Sequence, residues 1–368
     1  MMKFEPGRDI RPRDYLPSLD GWRAVAILWV MQAHGPAWSV GWISNRWINA
    51  NGDRGVQLFF ALSGVLICTR LLREEKRFGA ISLRSFYTRR LFRIQPAALV
   101  YLAVIALLMV VGMAPVGWKG IAGAVAMIRN VYPARGGTWE TQHFWSLAAE
   151  EHFYLFLPGF LVLWRQTRLA VMSALVVGFE LWRIVLLGHP RLHGYGEVNF
   201  LRTDMVIGGI LLGCAFALAL DRPDMLAMAK RFLRPWLALL YAAVIFAVTA
   251  THQSRANHAM IISVYPVLIA ATMLHAGSLT TRFLELAPVR FVGRISYSLY
   301  LWQMLFLNPY LTPEPHTFHL RTLTAYGATL VCAIASYYLV ETPLIRGGHS
   351  IAKRFDLQVN QKIAVAAG

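Results

Sequence analysis

A chain of 368 residues that is 57% hydrophobic and only 15% charged is too apolar for a soluble globular domain and reads as a polytopic membrane protein. Its formal net charge of +17 raises nucleic acid as a partner. The basic residues, however, fall in short loops between apolar runs, and no basic tail or RNA-binding aromatic motif stands apart, so nucleic acid is set aside. Cys68, Cys214 and Cys332 all lie within apolar runs without metal-type spacing, which argues against a disulfide framework and against a metal site.

The N-terminal tail, residues 1–18, carries Lys3, Arg8, Arg11 and Arg13, and no small-residue cleavage site follows the first apolar run; an uncleaved first span is expected. Apolar runs of spanning length fall near 20–38, 55–72, 94–113, 143–164, 168–188, 201–220, 235–251, 257–276, 288–308 and 319–340. The expectation is an all-α membrane domain over 19–345 with about ten transmembrane helices, then a cytoplasmic tail over 346–368. A shorter run, Ile121 to Ile128, is too brief to cross. With ten spans, 24 Lys and Arg fall on the side of the termini and 9 on the other, with Arg23, Arg183 and Arg294 inside spans. The positive-inside bias therefore puts both termini in the cytoplasm.

The first span carries Arg23 and His34 eleven residues apart, about three helical turns, so they share one face at depths ~16 Å apart. Singly, Arg23 snorkelling to the inner headgroups and His34 at the outer interface need no function. As a pair on one face they point to a site, because ionisable groups at membrane depth are costly. In the second span Ser63-Gly64 suits close helix approach, and a packing seam is the expected role of both residues.

The basic loop Arg70 to Arg93 follows. Its second half, Ser85-Phe86-Tyr87-Thr88-Arg89-Arg90-Leu91-Phe92-Arg93, gathers Arg89, Arg90 and Arg93 if helical. Two readings stand: an amphipathic anchor on anionic lipid, and a phosphate clamp using the bidentate guanidinium fork.

The fourth span opens Gln142-His143-Phe144-Trp145-Ser146 and continues to Glu150-Glu151-His152-Phe153-Tyr154. Ser146, Glu150 and Tyr154 recur every four residues, whereas Glu151 points about 100° away. One carboxylate is expected in a given site, with Glu150 favoured. The sixth span begins Arg202-Thr203-Asp204 and leads into Gly208-Gly209 and Gly213: the glycines suit packing, and the ionic pair either self-associates or meets a polar substrate. The ninth holds Ser296-Tyr297-Ser298-Leu299-Tyr300-Leu301-Trp302-Gln303, and the tenth ends at Glu341-Thr342-Pro343, where proline is expected to stop the helix.

Arg23 with His34, Gly55-Val56-Gln57-Leu58-Phe59-Phe60 with Ser63-Gly64, the Arg90/Arg93 pair, Trp145-Ser146-Leu147 with Glu150-Glu151, Ser296 to Trp302, and Glu341-Thr342-Pro343 together resemble the acyltransferase family 3 membrane enzymes, over about residues 15 to 345. The resemblance implies transfer of an acyl group, often acetyl, from cytosolic acyl-CoA to a hydroxyl of an extracytoplasmic glycan or a small molecule. It implies a catalytic role for His34 and roles for Arg23, Arg90 and Arg93 in activity or donor binding. The chain departs from the family at Gln57, where many relatives carry an acid, and at Gln303, where they carry a histidine. No esterase-like domain of the kind some relatives carry is expected after the last span.

The reading that follows is a multi-pass O-acyltransferase of the inner (plasma) membrane. Its expected catalytic residues are His34, Arg23, Glu150 and Glu151, with His34 as general base and Glu150 orienting the imidazole. Arg89, Arg90 and Arg93 are expected to hold acyl-CoA, and Trp145, Ser146, Arg202, Asp204 and Tyr297 to contact substrate. Membrane lipids and a glycan or small-molecule hydroxyl acceptor are the expected partners, with no metal. An acyl-histidine intermediate is an open alternative to direct transfer. The rival class is a transporter or flippase with a buried Arg/His/Glu path.

Overall fold

The computed structural model describes residues 16–35, 39–40, 43–44, 51–131, 139–189, 201–251, 257–307 and 318–367. Most of the expected N-terminal tail (1–15) and the end of the first expected span (36–38) lie outside the described residues. Helices α1 (Pro17–His34), α2 (Asp53–Phe78) and α3 (Leu83–Val110) open the chain, with one antiparallel pairing of Ser39–Val40 and Ile43–Ser44 between the first two. Next come the short α4 (Trp118–Val125) and α5 (Trp139–Gln142), then α6 (Phe144–Leu163), α7 (Arg168–Gly188), α8 (Thr203–Val206) and α9 (Gly208–Leu220). The chain continues through α10 (Pro223–Phe232), α11 (Pro235–Thr251), α12 (Asn257–Leu274), α13 (Leu279–Leu284), α14 (Ala287–Arg294), α15 (Ser296–Phe306), α16 (Phe318–Ser336) and α17 (Thr342–Ala367).

Within the described residues each of the ten expected apolar runs is mainly helical, although two are broken, at Ile207 and at Ile295. Among the described residues five helices are long and apolar enough to cross a membrane, or six if α10 and α11 form one span across their 78° bend. The outer faces of α3 and α7 expose Leu107, Val110, Val177 and Leu181, as lipid contact requires.

α2 sits at the centre: 72% of its most apolar stretch is buried inside the protein, against 11% for α7. It runs against α9 at backbone distance, because Gly64 faces the Ile210 carbonyl and Gly213 faces that of Ala61. Small residues on both partners permit this approach, as expected for Gly64 and Gly213. Ser63 departs from the packing role expected of it and turns instead toward an internal cavity.

The basic segment 70–93 is not a loop. α2 continues to Phe78, ends on Gly79 in a left-handed conformation (φ 77°) whose N–H returns to Glu75 O, and α3 begins four residues later at Leu83. Backbone hydrogen bonding in a helix is local, so both helices extend past the apolar boundary that composition marks.

Nor does the tenth run stop at its proline. Residues Tyr337–Glu341 form a π turn and the chain continues directly into α17. Pro343 directly follows that turn and has no N–H to give back to it, so the helix passes the proline through a local π irregularity instead of ending there. The C-terminal segment thereby packs along α3, and Ser85 donates to the Ala352 carbonyl (3.2 Å).

A Cβ at Gly213 would stand 2.5 Å from the Ala61 carbonyl oxygen, whereas one at Gly178 on α7 meets nothing within 4 Å. Gly213→Val is expected to destabilise by ~1–3 kcal/mol or more through overpacking and Gly178→Ala to be neutral or slightly stabilising. Melting temperatures of the two purified variants in detergent check this; equal values would discard the close-approach argument.

Candidate active site

A cavity of about 680 Å3 opens between α1, α2, α3, α6 and α15, within the size range of small-molecule sites. Each wall has a sequence origin. α1 supplies Asp20 and Arg23, one turn apart on one face. α2 supplies Ser63 at its middle and Arg70, Arg73 and Arg77 toward its end. α3 supplies Arg89, Arg90 and Arg93, α6 Ser146, Glu150 and Tyr154, α15 Ser296, Tyr297 and Tyr300, and α17 His349 and Asp356. Seven arginines meet four carboxylates along this wall, so the cavity carries a net positive charge suited to an anion.

Glu150 is the best-held group in it. Its Oε1 accepts from Ser63 Oγ (3.0 Å) and its Oε2 from the Tyr154 hydroxyl (2.9 Å), which also reaches Ser63 Oγ (3.2 Å). Arg90 lies over the Tyr154 ring, 4.7 Å from its centroid, and Arg23 and Arg90 are the nearby positive charges. Arg23 in turn has Arg93, Asp20, Glu341 and Glu150 as its charged neighbours, and Glu341 accepts a short hydrogen bond from Ser298. The face that joins Ser146, Glu150 and Tyr154 is the cavity face; Glu151 does not line it.

His34 lies outside this cavity, at the end of α1. Its ring stands edge-on to Trp139 with centroids 5.4 Å apart, and Gln303 and His143 are its polar neighbours. His34 Nδ1, both ring nitrogens of His143 and Gln303 Oε1 are buried without a hydrogen-bond partner among the described residues. Between this histidine chamber and the cavity stand Ser146 and Tyr300, whose hydroxyl oxygens are 2.6 Å apart; each also reaches the His143 carbonyl at 3.1 Å.

The orienting role expected of Glu150 at His34 is therefore corrected. Both of its oxygens are taken by Ser63 and Tyr154, and the side chain beside His34 is Gln303. Helical spacing put Arg23 and His34 on one face, but only Arg23 lines the cavity, and the Ser146–Tyr300 pair of α6 and α15 lies between it and His143.

The other expected residues fall in separate places. Arg89 bonds Ser85, Glu74 (3.0 Å) and Asp356 (3.3 Å), whereas Arg90 and Arg93 make no ion pair among the described residues. Tyr297 lines the cavity and donates to Ile94 O (2.7 Å). Trp145 packs edge-on to Phe60 and is not in the cavity wall. Arg202 and Asp204 pair with each other (3.0 and 2.9 Å), and Trp182 Nε1 also donates to Asp204 (2.9 Å); neither reaches the cavity. Sequence reasoning missed Arg70, Arg73 and Arg77, although their spacing of three and four residues was a legible signal for one helix face. It missed His349 and Asp356 because a proline stop was expected before them.

A family model described as an acyltransferase domain matches residues 16–338. Similar proteins in Staphylococcus aureus include SACOL0978 of strain COL, 28% identical over 368 residues, and the O-acetyltransferase OatA of strain NCTC 8325 / PS 47, 28% identical over 359 residues. Each alignment covers 91% of this chain and 58% of the relative, so the chain spans a little over half the length of these relatives. No solved structure matches it.

Cysteine scanning checks the cavity face directly. With Cys68, Cys214 and Cys332 replaced, a negatively charged thiol reagent is expected to label Glu150→Cys at least about tenfold faster than Glu151→Cys, because an arginine-lined cleft concentrates anions. Equal rates would show that the two positions share one environment.

Proposed function

Because the chain belongs to acyltransferase family 3, we propose that it is a membrane O-acyltransferase. It moves an acetyl group from cytosolic acetyl-CoA to a hydroxyl of an extracytoplasmic glycan or a smaller hydroxyl acceptor. The printed name of the relative OatA, an O-acetyltransferase, supports acetyl. Ten spans in the inner (plasma) membrane with both termini in the cytoplasm complete the reading, supported by the helical state of the apolar runs within the described residues and by the charge bias.

The observation that carries this reading is the division of one cavity into chemically different halves. Guanidinium groups crowd the end toward the α2–α3 connection, and the opposite end closes on the Ser146–Tyr300 hydroxyl pair with the histidine chamber behind it. The donor's phosphates lie at Arg90 and Arg93, whose forks suit phosphate oxygens. The pantetheine arm, thin and uncharged, passes Glu150 and Tyr154. The thioester arrives at Ser146 and Tyr300, which separate or rotate to admit it to His34.

The acceptor approaches from the other face. His34 takes the proton from its hydroxyl through Nδ1, which is buried without a hydrogen-bond partner among the described residues. The acceptor oxygen attacks the thioester carbonyl carbon, the carbon–sulfur bond breaks, and sulfur leaves with the bonding pair. The imidazolium returns its proton to that sulfur. The products are the ester and CoA thiol, and one imidazole serves both steps.

His34→Ala is expected to lower acetyl transfer by about 10²–10⁴-fold, the usual contribution of a general base, with acetyl-CoA affinity retained. Turnover above a tenth of wild type in the purified variant would remove His34 from the chemistry. Glu150→Gln is expected to cost about tenfold or more in turnover, the worth of a hydrogen bond to a charged group, and Glu151→Gln much less. The reverse order, measured as free thiol released from acetyl-CoA, would move the functional carboxylate to the other face.

A further inference from the structure

We propose that Arg73 and Arg77 of α2 form a second anion subsite that takes the 3′-phosphate on the ribose of the CoA donor. This inference rests on the acyl-CoA reading and deepens it. CoA carries two separate anionic groups, a diphosphate in the chain and a monophosphate on the ribose, so a site that reads the whole cofactor needs two cationic clusters.

The cavity has both. The first is Arg90 and Arg93 of α3, with Arg70 of α2 within electrostatic reach of both. The second continues along α2: Arg70, Arg73 and Arg77 are spaced by three and four residues, so they lie within about 60° on one face. At 1.5 Å per residue Arg73 is ~4.5 Å and Arg77 ~10 Å beyond Arg70, toward the end of the helix. All three line the same cavity as Arg90 and Arg93 and are exposed to the solvent that fills it.

Two carboxylates of the cavity wall are held by Arg89 of α3. Glu74, between Arg73 and Arg77 in sequence, accepts from Arg89 (3.0 Å) and from the Ser82 backbone N–H (2.8 Å). Asp356, brought in by α17, also pairs with Arg89 (3.3 Å). Arg89 is thus a positioning residue that holds both acids on the α3 side, while Arg73 and Arg77 line the cavity from α2, Arg77 lying over the Phe78 ring at 5.1 Å from its centroid.

The test compares acetyl-CoA with acetyl-3′-dephospho-CoA, which lacks only the ribose phosphate, by equilibrium binding to the full chain in nanodiscs of zwitterionic lipid. Wild type is expected to prefer acetyl-CoA by about tenfold or more, as a charge-assisted phosphate contact provides. Arg73→Gln/Arg77→Gln is expected to bind the two donors within twofold of each other, with affinity for the dephospho donor unchanged. Arg73→Lys/Arg77→Lys, which keeps the charge, is expected to restore part of the preference. Arg90→Gln/Arg93→Gln is expected to weaken both donors and leave their ratio intact. If the Arg73/Arg77 variants keep the wild-type ratio, or weaken both donors equally, the subsite is wrong while the donor reading stands. If Arg90→Gln/Arg93→Gln changes neither affinity, the donor reading itself falls. A lipid-headgroup site is the other source of the same chemistry. In that case the ratio would stay at wild type, while the Arg73/Arg77 variants would lose affinity for vesicles containing anionic lipid, and the proposal would be overturned.

Discussion

A carboxylate inside an apolar helical bundle is stable only when hydrogen-bonded and charge-compensated, and Glu150 meets both conditions through Ser63, Tyr154 and the neighbouring Arg23 and Arg90. These contacts bring α1, α2, α3 and α6 to one point. The cost of leaving any one charge alone in that interior links their positions: Arg23 is tolerable at its depth because carboxylates on α6 and at the α16–α17 junction face it. The polar cavity is the space that this mutual compensation keeps open within an otherwise close-packed bundle.

The close contact of α2 with α9 serves the same centre from behind. With Gly64 and Gly213 allowing backbone approach, α2 is held on one side by packing alone, and its opposite side is left to carry Ser63 and the three arginines. One helix therefore links the hydroxyl that fixes Glu150 to the cationic stripe near the α2–α3 connection. The C-terminal helix completes that mouth by lying on α3 and delivering Asp356 to Arg89.

At the cavity's edge Ser146 and Tyr300 hold each other and the His143 carbonyl, and the ring nitrogens of His143 and Nδ1 of His34 sit buried without hydrogen-bond partners among the described residues. Buried polar atoms left unpaired are costly, and a polar ligand entering the chamber would satisfy them.

The sequence by itself determined the class of molecule, the helical state of its apolar runs, and which member of several pairs faces inward. Ser146, Glu150 and Tyr154 shared a face on paper because a helix repeats every 3.6 residues whatever surrounds it, and the glycines of α9 announced a close contact by their size. Periodicity of this kind is local and survives folding. The tertiary structure alone decided which faces meet. It separated His34 from the cavity that Arg23 lines, set Gln303 rather than Glu150 beside the imidazole, and tied Arg89 to Asp356, 267 residues away. It also carried the chain through a π turn past Pro343, so that a segment read as a tail became a wall of the site. Each of these depends on partners more than a hundred residues away or on a backbone irregularity, and neither leaves a periodic trace in the chain.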